Sequence, residues 1–112
     1  MKITHHNTDV VDIVELEGEL VMASGPELRK QLQAIINAGS GNLILQLEKV
    51  SFVDSSGLSV FVSALKHARE KQGQVVLVAL MPEVRSLLEL TRLHKVFDIF
   101  EDTNSALAHF KQ

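Results

Sequence analysis

An uninterrupted apolar run at residues 75–80 constrains the fold of this chain more than any other segment. It contains only valine, leucine and alanine, and a strand without alternating polar residues is typical of one buried on both faces in a parallel pairing. Residues 43–47 predict another strand, and the segment between them, residues 56–72, carries apolar side chains at helical spacing. The three elements form a βαβ unit with a right-handed crossover, which predicts an α/β fold.

A hairpin is predicted ahead of this unit. Residues 2–6 and 10–17 have the pattern of two strands, and residues 7–9 supply the turn-forming types Asn, Thr and Asp. Gly18 is expected to end the second strand. The chain therefore begins with two antiparallel strands.

The first helix is expected to begin at Ser24, because Ser24 and Glu27 have the spacing of a capping box and Pro26 suits a first turn. It ends at the glycines within residues 39–41. Three further elements are predicted: a helix after Pro82, an edge strand at residues 96–100 and a last helix from Asp102 or Thr103. The prediction is one α/β domain over residues 1–112, with a mixed sheet of four or five strands and about four helices.

Charge and composition exclude several classes of function. The formal net charge is −3 and there is no long basic run, so a nucleic acid is not expected as a partner. The absence of cysteine removes disulfides, thiolate metal sites and a cysteine nucleophile. The N-terminus lacks the apolar region of a signal peptide, and the apolar run at residues 75–81 is far too short to cross a bilayer. We therefore expect a soluble, cytoplasmic protein without membrane insertion.

The start of the helix in the βαβ unit carries the most informative pattern in the chain. A short, mainly apolar segment, residues 50–53, is followed by Asp54, Ser55, Ser56 and Gly57. The first N–H groups of a helix lack partners and the macrodipole favours negative charge there, so these hydroxyls suit a phosphate, either bound or covalently attached. The alternative is that Asp54, Ser55 or Ser56 only caps the helix.

Catalytic and metal-binding chemistry lacks support in the sequence. The five histidines are scattered, and His5 and His6, adjacent on a predicted strand, point to opposite faces. No histidine stands in register with Asp54 and Ser55 as a triad, and no glycine-rich phosphate cradle opens a helix. An aspartyl-phosphate switch at Asp54 would need further acids to hold a divalent metal. The chain is therefore predicted not to be an enzyme and to need no cofactor or metal.

The string Asp-Ser-Ser-Gly-Leu at residues 54–58, in this α/β context, resembles the signature of STAS domains, in particular of the bacterial anti-sigma factor antagonists. The resemblance covers nearly the whole chain. It includes residues 18–20 after the second strand, residues 43–47 before the signature and residues 82–88 in the helix after the fourth strand. The resemblance thus implies that residues 1–112 form a STAS domain.

The resemblance implies a protein–protein switch. In this family the unphosphorylated antagonist binds an anti-sigma factor that is also an ATP-dependent serine kinase, and thereby frees a sigma factor. The kinase phosphorylates the serine directly after the signature acid, and a PP2C-type phosphatase reverses the reaction. By position, the phosphorylated residue is Ser55, beside Asp54, with Ser56, Gly57 and Leu58 in the partner-binding surface.

One position departs from the family pattern. Many antagonists carry an aspartate where this chain has Val21. The family's architecture places residues 21–24 near the phosphorylated serine, so Val21, Met22 and Ser24 are also expected to bind the partner. The alternative is that Val21 and Met22 are buried beneath the loop, as valine and methionine commonly are.

Two other functions stay open on the sequence alone. The chain could be a STAS subunit that docks on a membrane transporter or a stress-signalling assembly, with Ser55 unmodified. It could also be a small enzyme or an anion-binding domain that uses the start of the helix as its site. An enzyme would need a base within hydrogen-bond reach of a hydroxyl, and the sequence supplies no supported candidate.

Overall fold

The computed structural model describes residues 1–111 and contains a five-stranded mixed sheet with four α-helices, which confirms the predicted α/β fold. The elements follow the chain in the order β1 (Lys2–Asn7), β2 (Asp12–Leu20), α1 (Gly25–Ala38), β3 (Leu43–Val53), α2 (Ser55–Glu70), β4 (Val75–Val78), α3 (Pro82–Leu90), β5 (Asp98–Phe100) and α4 (Thr103–Phe110). A 3₁₀ turn at Leu93–Lys95 lies between α3 and β5.

The five strands lie side by side in the order of the chain. β1 and β2 form the predicted antiparallel hairpin, with Lys2 opposite Glu17, whereas β2, β3, β4 and β5 run parallel. All four residues of β4 are buried, because β4 has a strand on each side and contacts α2 and α4. The interpretation of the apolar run as a buried parallel strand is confirmed for residues 75–78. Ala79 and Leu80 lie beyond the end of the strand, where Ala79 has a φ of +58°.

The sheet separates two unequal apolar layers. Along β3, Leu43, Leu45 and Leu47 belong to the larger layer, which contains the inner sides of α1, α2 and α3. Ile44 belongs to the smaller layer, where Ala106 of α4 is buried. Full burial of a leucine side chain contributes about 2 kcal/mol. The larger layer, with three helices on it, therefore supplies most of the hydrophobic stabilisation.

Helix α4 is held at both ends. The Ser105 N–H donates to the Asp102 carboxylate at 2.8 Å, which confirms the predicted start of this helix. This bond, and a weaker one from the Ser105 side chain, hold the pKa of Asp102 below its ordinary value, so the cap is lost only as the pH falls through that lowered value. At the other end, His109 Nε2 lies 2.9 Å from Gln74 Oε1, just before β4.

Two strands extend further than the sequence predicts. Gly18 does not end β2, which continues to Leu20, and β3 continues to Val53 instead of ending near residue 47. Gly18 has a φ of +122°, a conformation that glycine adopts readily, and the register with β3 shifts beside it. The strand therefore passes through an irregularity and goes on. This extension brings Leu20 and Val53 opposite each other at one end of the sheet.

The edge strand is shorter than predicted. β5 spans Asp98–Phe100 rather than residues 96–100, because the 3₁₀ turn at Leu93–Lys95 is followed by a helical conformation at Val96. β5 still pairs with β4 at the edge of the sheet, so its predicted position is confirmed.

Lys71 fastens the end of α1 to the end of α2. Its Nζ donates to the carbonyl oxygens of Ile36, Asn37 and Gly39 at 3.2, 2.9 and 2.6 Å. These carbonyls lie at the end of α1, where helical acceptors lack partners and the macrodipole is negative. Lys71, which directly follows α2, therefore provides a hydrogen-bond donor to carbonyl oxygens at the end of α1 that lack helical partners.

We expect Lys71→Met to lower the free energy of unfolding by about 1 kcal/mol, because methionine keeps the apolar stem and removes the charged donor. For a domain of this size the melting temperature should fall by about 5 °C. Lys66→Met is the matched control, since Lys66 is exposed on α2 and makes no hydrogen bond within residues 1–111. Equal melting temperatures for the two variants would contradict the role assigned to Lys71.

Candidate functional site

Two loops meet at the carboxyl ends of β2 and β3. Because these strands are parallel, residues 21–24 and Asp54 leave the sheet at the same edge. The Asp54 N–H donates to the Leu20 carbonyl oxygen at 3.1 Å, and the Met22 N–H donates to Asp54 Oδ2 at 3.3 Å. The loop after β2 is thus bonded directly to the residue that precedes α2.

Asp54 is the N-cap of α2. Its backbone is extended, with φ −101° and ψ −172°, and its Oδ1 accepts from the Gly57 N–H at 3.0 Å. Aspartate is among the most favourable residues at this position. Of the three candidate caps, Asp54 therefore has the role. Ser55 and Ser56 lie in the first turn of the helix.

Gly57 and Leu58 lie beneath the surface of the site. A Cβ on Gly57 would come within 2.6 Å of the Leu20 carbonyl oxygen and 2.7 Å of Val53 Cγ1. Only glycine lets α2 begin this close to the ends of β2 and β3. Leu58 is 8% exposed and belongs to the larger apolar layer. Both residues fix the position of the first turn of α2 from below.

Ser24 lies at the N-cap position of α1, which confirms the predicted start of this helix, but its side chain makes no capping bond within the described part of the chain, so the capping-box prediction is wrong. Its backbone has φ −100° and ψ −17°, which is helical. The hydroxyl accepts from the Val21 N–H at 3.1 Å and donates to the Glu19 carbonyl oxygen, also at 3.1 Å. Glu27 accepts instead from Gln31 Nε2. Ser24 therefore stabilises the turn between β2 and α1.

The exposed groups at this end of the molecule include a hydroxyl and an apolar side chain. Met22 is 74% exposed, so it is not buried beneath the loop, whereas Val21 is half-buried. Ser55 is exposed and Ser56 is half-buried. The Ser55 hydroxyl has no hydrogen-bond partner within residues 1–111. It is therefore open to solvent and to any approaching protein.

A contact between α1 and α2 at this site was not predicted from the sequence. The Arg29 Nη2 of α1 donates to Ser59 Oγ of α2 at 2.8 Å, and the Ser59 hydroxyl donates to the Ser56 carbonyl oxygen at 2.7 Å. The packing of α1 on α2 brings these residues together. No local pattern encodes the contact, because its partners are thirty positions apart in the chain.

Within residues 1–111, three histidines have a hydrogen-bond partner, and all three lie away from the start of α2. His5 Nε2 is 2.8 Å from a carboxylate oxygen of Asp12, a buried residue at the opposite end of β2. His94 lies near a carbonyl oxygen of α3, and His109 binds near the start of β4. None of these three is therefore placed to act as a base at the start of α2.

Residues 1–111 contain no group of three or more His, Asp and Glu side chains that could hold a metal ion. Within the same part of the chain, no helix combines the length and the apolar character needed to span a membrane.

The sequence pattern that defines the STAS domain matches residues 2–106. The chain belongs to the STAS domain family. BtrV of Bordetella bronchiseptica, a protein named as an anti-sigma factor antagonist, is 31% identical over 111 residues, which cover 99% of this chain and 96% of that protein. The anti-sigma-B factor antagonist of Listeria monocytogenes is 32% identical over 99 residues, which cover 88% of this chain and 86% of that protein.

A solved structure has the same fold throughout. A Thermotoga maritima protein, whose crystal structure is described as that of an anti-sigma factor antagonist, matches with a TM-score of 0.93 over 98% of this chain and 95% of its own, at 25% identity. The family inferred from residues 54–58 is confirmed. The relatives are named for regulatory binding, not for catalysis.

We expect Asp54→Ala to lower the free energy of unfolding by about 1–2 kcal/mol, because it leaves the N–H groups of Gly57 and Met22 without their acceptor. Asp54→Asn is the matched control: it keeps one acceptor oxygen, which can still accept from the Gly57 N–H, and loses the acceptor of the Met22 N–H, so its loss of stability should be smaller than that of alanine. Urea unfolding measures both variants. If asparagine destabilised the chain as much as alanine does, the capping bonds would not be the stabilising feature.

Proposed function

We propose that this chain is an anti-sigma factor antagonist that is regulated by phosphorylation of Ser55. In the unphosphorylated state it sequesters an anti-sigma factor, which is also a serine kinase, and so releases a sigma factor in the cytoplasm. The observation that carries this proposal is the exposed Ser55 hydroxyl in the first turn of α2, directly after the capping residue Asp54. The antagonist relatives that match almost the whole chain support it.

The chemistry of the switch belongs to the partner enzymes. The Ser55 oxygen attacks the γ-phosphorus of ATP, the bond from that phosphorus to the oxygen bridging to the β-phosphate breaks, and ADP leaves. The hydroxyl proton passes to a base of the kinase, and a PP2C-type phosphatase later hydrolyses the serine phosphate. This chain contributes a positioned hydroxyl, and for that it needs no cofactor and no catalytic group of its own.

The added charge acts on the interface and not on the fold. A serine phosphate carries about −1.5 to −2 charges at neutral pH. At the start of α2 the helix macrodipole makes that charge tolerable within the domain. Against a partner surface that fits a neutral hydroxyl, the charge must be desolvated or opposed. A penalty of about 3 kcal/mol lowers affinity by more than about 100-fold.

The partner surface that we propose centres on Ser55. Val21 and Met22 on the loop after β2 and Ser56 on α2 surround it, and Ser24 and Asp54 hold that loop in place. Gly57 and Leu58, which the resemblance assigns to the same surface, support it from beneath. An apolar side chain thus lies beside the serine, and we expect the partner to bring an apolar group to it.

We expect the full chain to gain the mass of one phosphoryl group when incubated with ATP and lysate from the source cells. Ser55→Ala should abolish the gain, and Ser56→Ala should at most reduce it. Intact-mass measurement and phosphopeptide mapping provide the result. Phosphate on Ser56, or none on either serine, would overturn the proposed switch and favour a STAS subunit of another assembly.

We expect Met22→Asp to weaken binding to the cognate anti-sigma factor by at least about tenfold, because a carboxylate would be desolvated without a partner. The fold should be unaffected, since Met22 is 74% exposed. Val21→Asp should weaken binding too, with some loss of stability because Val21 is half-buried.

Leu90→Asp is the matched control for these variants, because Leu90 is 81% exposed at the end of α3. Titration calorimetry and thermal melts separate binding from folding. Unchanged affinity in folded Met22→Asp protein would remove the loop from the interface.

A further inference from the structure

Arg29 places a cation one helical turn from the proposed phosphorylation site. Its Nη2 donates to Ser59 Oγ at 2.8 Å. Ser59 follows Ser55 by four positions on α2, and residues at this spacing are neighbours on a helix surface, with Cβ atoms about 6 Å apart. The guanidinium of Arg29 is thus held on the face of α2 that presents the Ser55 hydroxyl.

The positive charge of Arg29 makes no ion pair within residues 1–111. Its described contact is to the neutral hydroxyl of an exposed serine. An arginine in that position can exchange a neutral acceptor for a charged one at little cost, since bonds to a charged acceptor are about twice as strong.

Along α2 and its cap, the charged residues nearest to Ser55 in the sequence are Asp54 and Lys66. Asp54 precedes Ser55, but its two carboxylate oxygens already accept from Gly57 and Met22. The groove between α1 and α2 is lined by Met22, Ser56 and Ser59 but not by Ser55, and Arg29 is its charged residue. The next cation along α2 is Lys66, eleven positions from Ser55, or about 16 Å along the helix axis.

We propose that Arg29 is the intramolecular counter-ion of a phosphate on Ser55. On phosphorylation its guanidinium leaves the Ser59 hydroxyl and pairs with the phosphate oxygens, for which its planar donor fork is well suited. The pair fixes the phosphate over the exposed face of α2 and favours its fully ionised form at neutral pH. This inference rests on the proposed function and names how the same site is regulated.

The test uses the full chain with phosphoserine installed at position 55 during translation, so that no kinase is needed. Titration followed by ³¹P NMR gives the second pKa of the phosphate, which is about 6 for an unperturbed phosphoserine. We expect Arg29→Gln to raise this pKa by about half a unit, a size typical of an exposed ion pair. Arg29→Lys should restore part of the difference.

Lys30→Gln is the matched control, because Lys30 is the neighbouring exposed cation of α1 and its loss changes the net charge equally. It should leave the phosphate pKa unchanged, and thermal melts verify that each variant is folded. If Arg29→Gln has no effect, or no more effect than Lys30→Gln, the counter-ion role is overturned.

Phosphoserine installed at position 56 gives a second check on the geometry. A larger dependence on Arg29 there than at position 55 would overturn the assignment to Ser55. Failure of the kinase experiment would overturn the proposed function while leaving this measurement valid, because the phosphate is installed without a kinase. The two proposals can therefore fail separately.

Discussion

The carboxylate of Asp54 is the interaction on which the geometry of the site depends. One oxygen holds the first turn of α2 and the other holds the loop that follows β2, so one side chain sets the distance between two segments. Gly57 makes this arrangement possible, because the helix begins in contact with Leu20. The position of Ser55 follows from these contacts, since it is the next residue after the cap.

Helix α2 has one side buried in the core and one side exposed, and the site lies on the exposed side. Leu58, Phe61 and Leu65 of α2 belong to the larger apolar layer, whereas Ser55 and Ser59 are exposed on the same helix. A charge added on the exposed side is not desolvated by the chain's own packing, and the macrodipole favours it there. The fold can therefore present a group that changes charge without repacking its interior.

Features with a local cause can be predicted from the sequence, and features that depend on a distant partner cannot. The buried strand within residues 75–80 and the start of a helix within residues 54–56 are set by their own side chains, and the structure contains both, at residues 75–78 and after Asp54. Ser24 has the spacing of a capping box, but its hydroxyl satisfies the preceding turn instead. The sequence predicts that Gly18 ends β2, but β2 continues past it because it pairs with β3. The contact of Arg29 arises only when α1 packs on α2.

The direction of the first and last elements places Met1 and the end of α4 at opposite poles of the molecule. Because β1 is antiparallel to β2, Met1 lies beside Gly18, toward the pole that carries Ser55. Helix α4 runs away from that pole, and His109 near its end is bonded to Gln74 at the opposite one. A dye, a resin or a fused protein attached near the end of α4 would leave the serine facing solution. The same attachment beside Met1 would compete for space with whatever binds there.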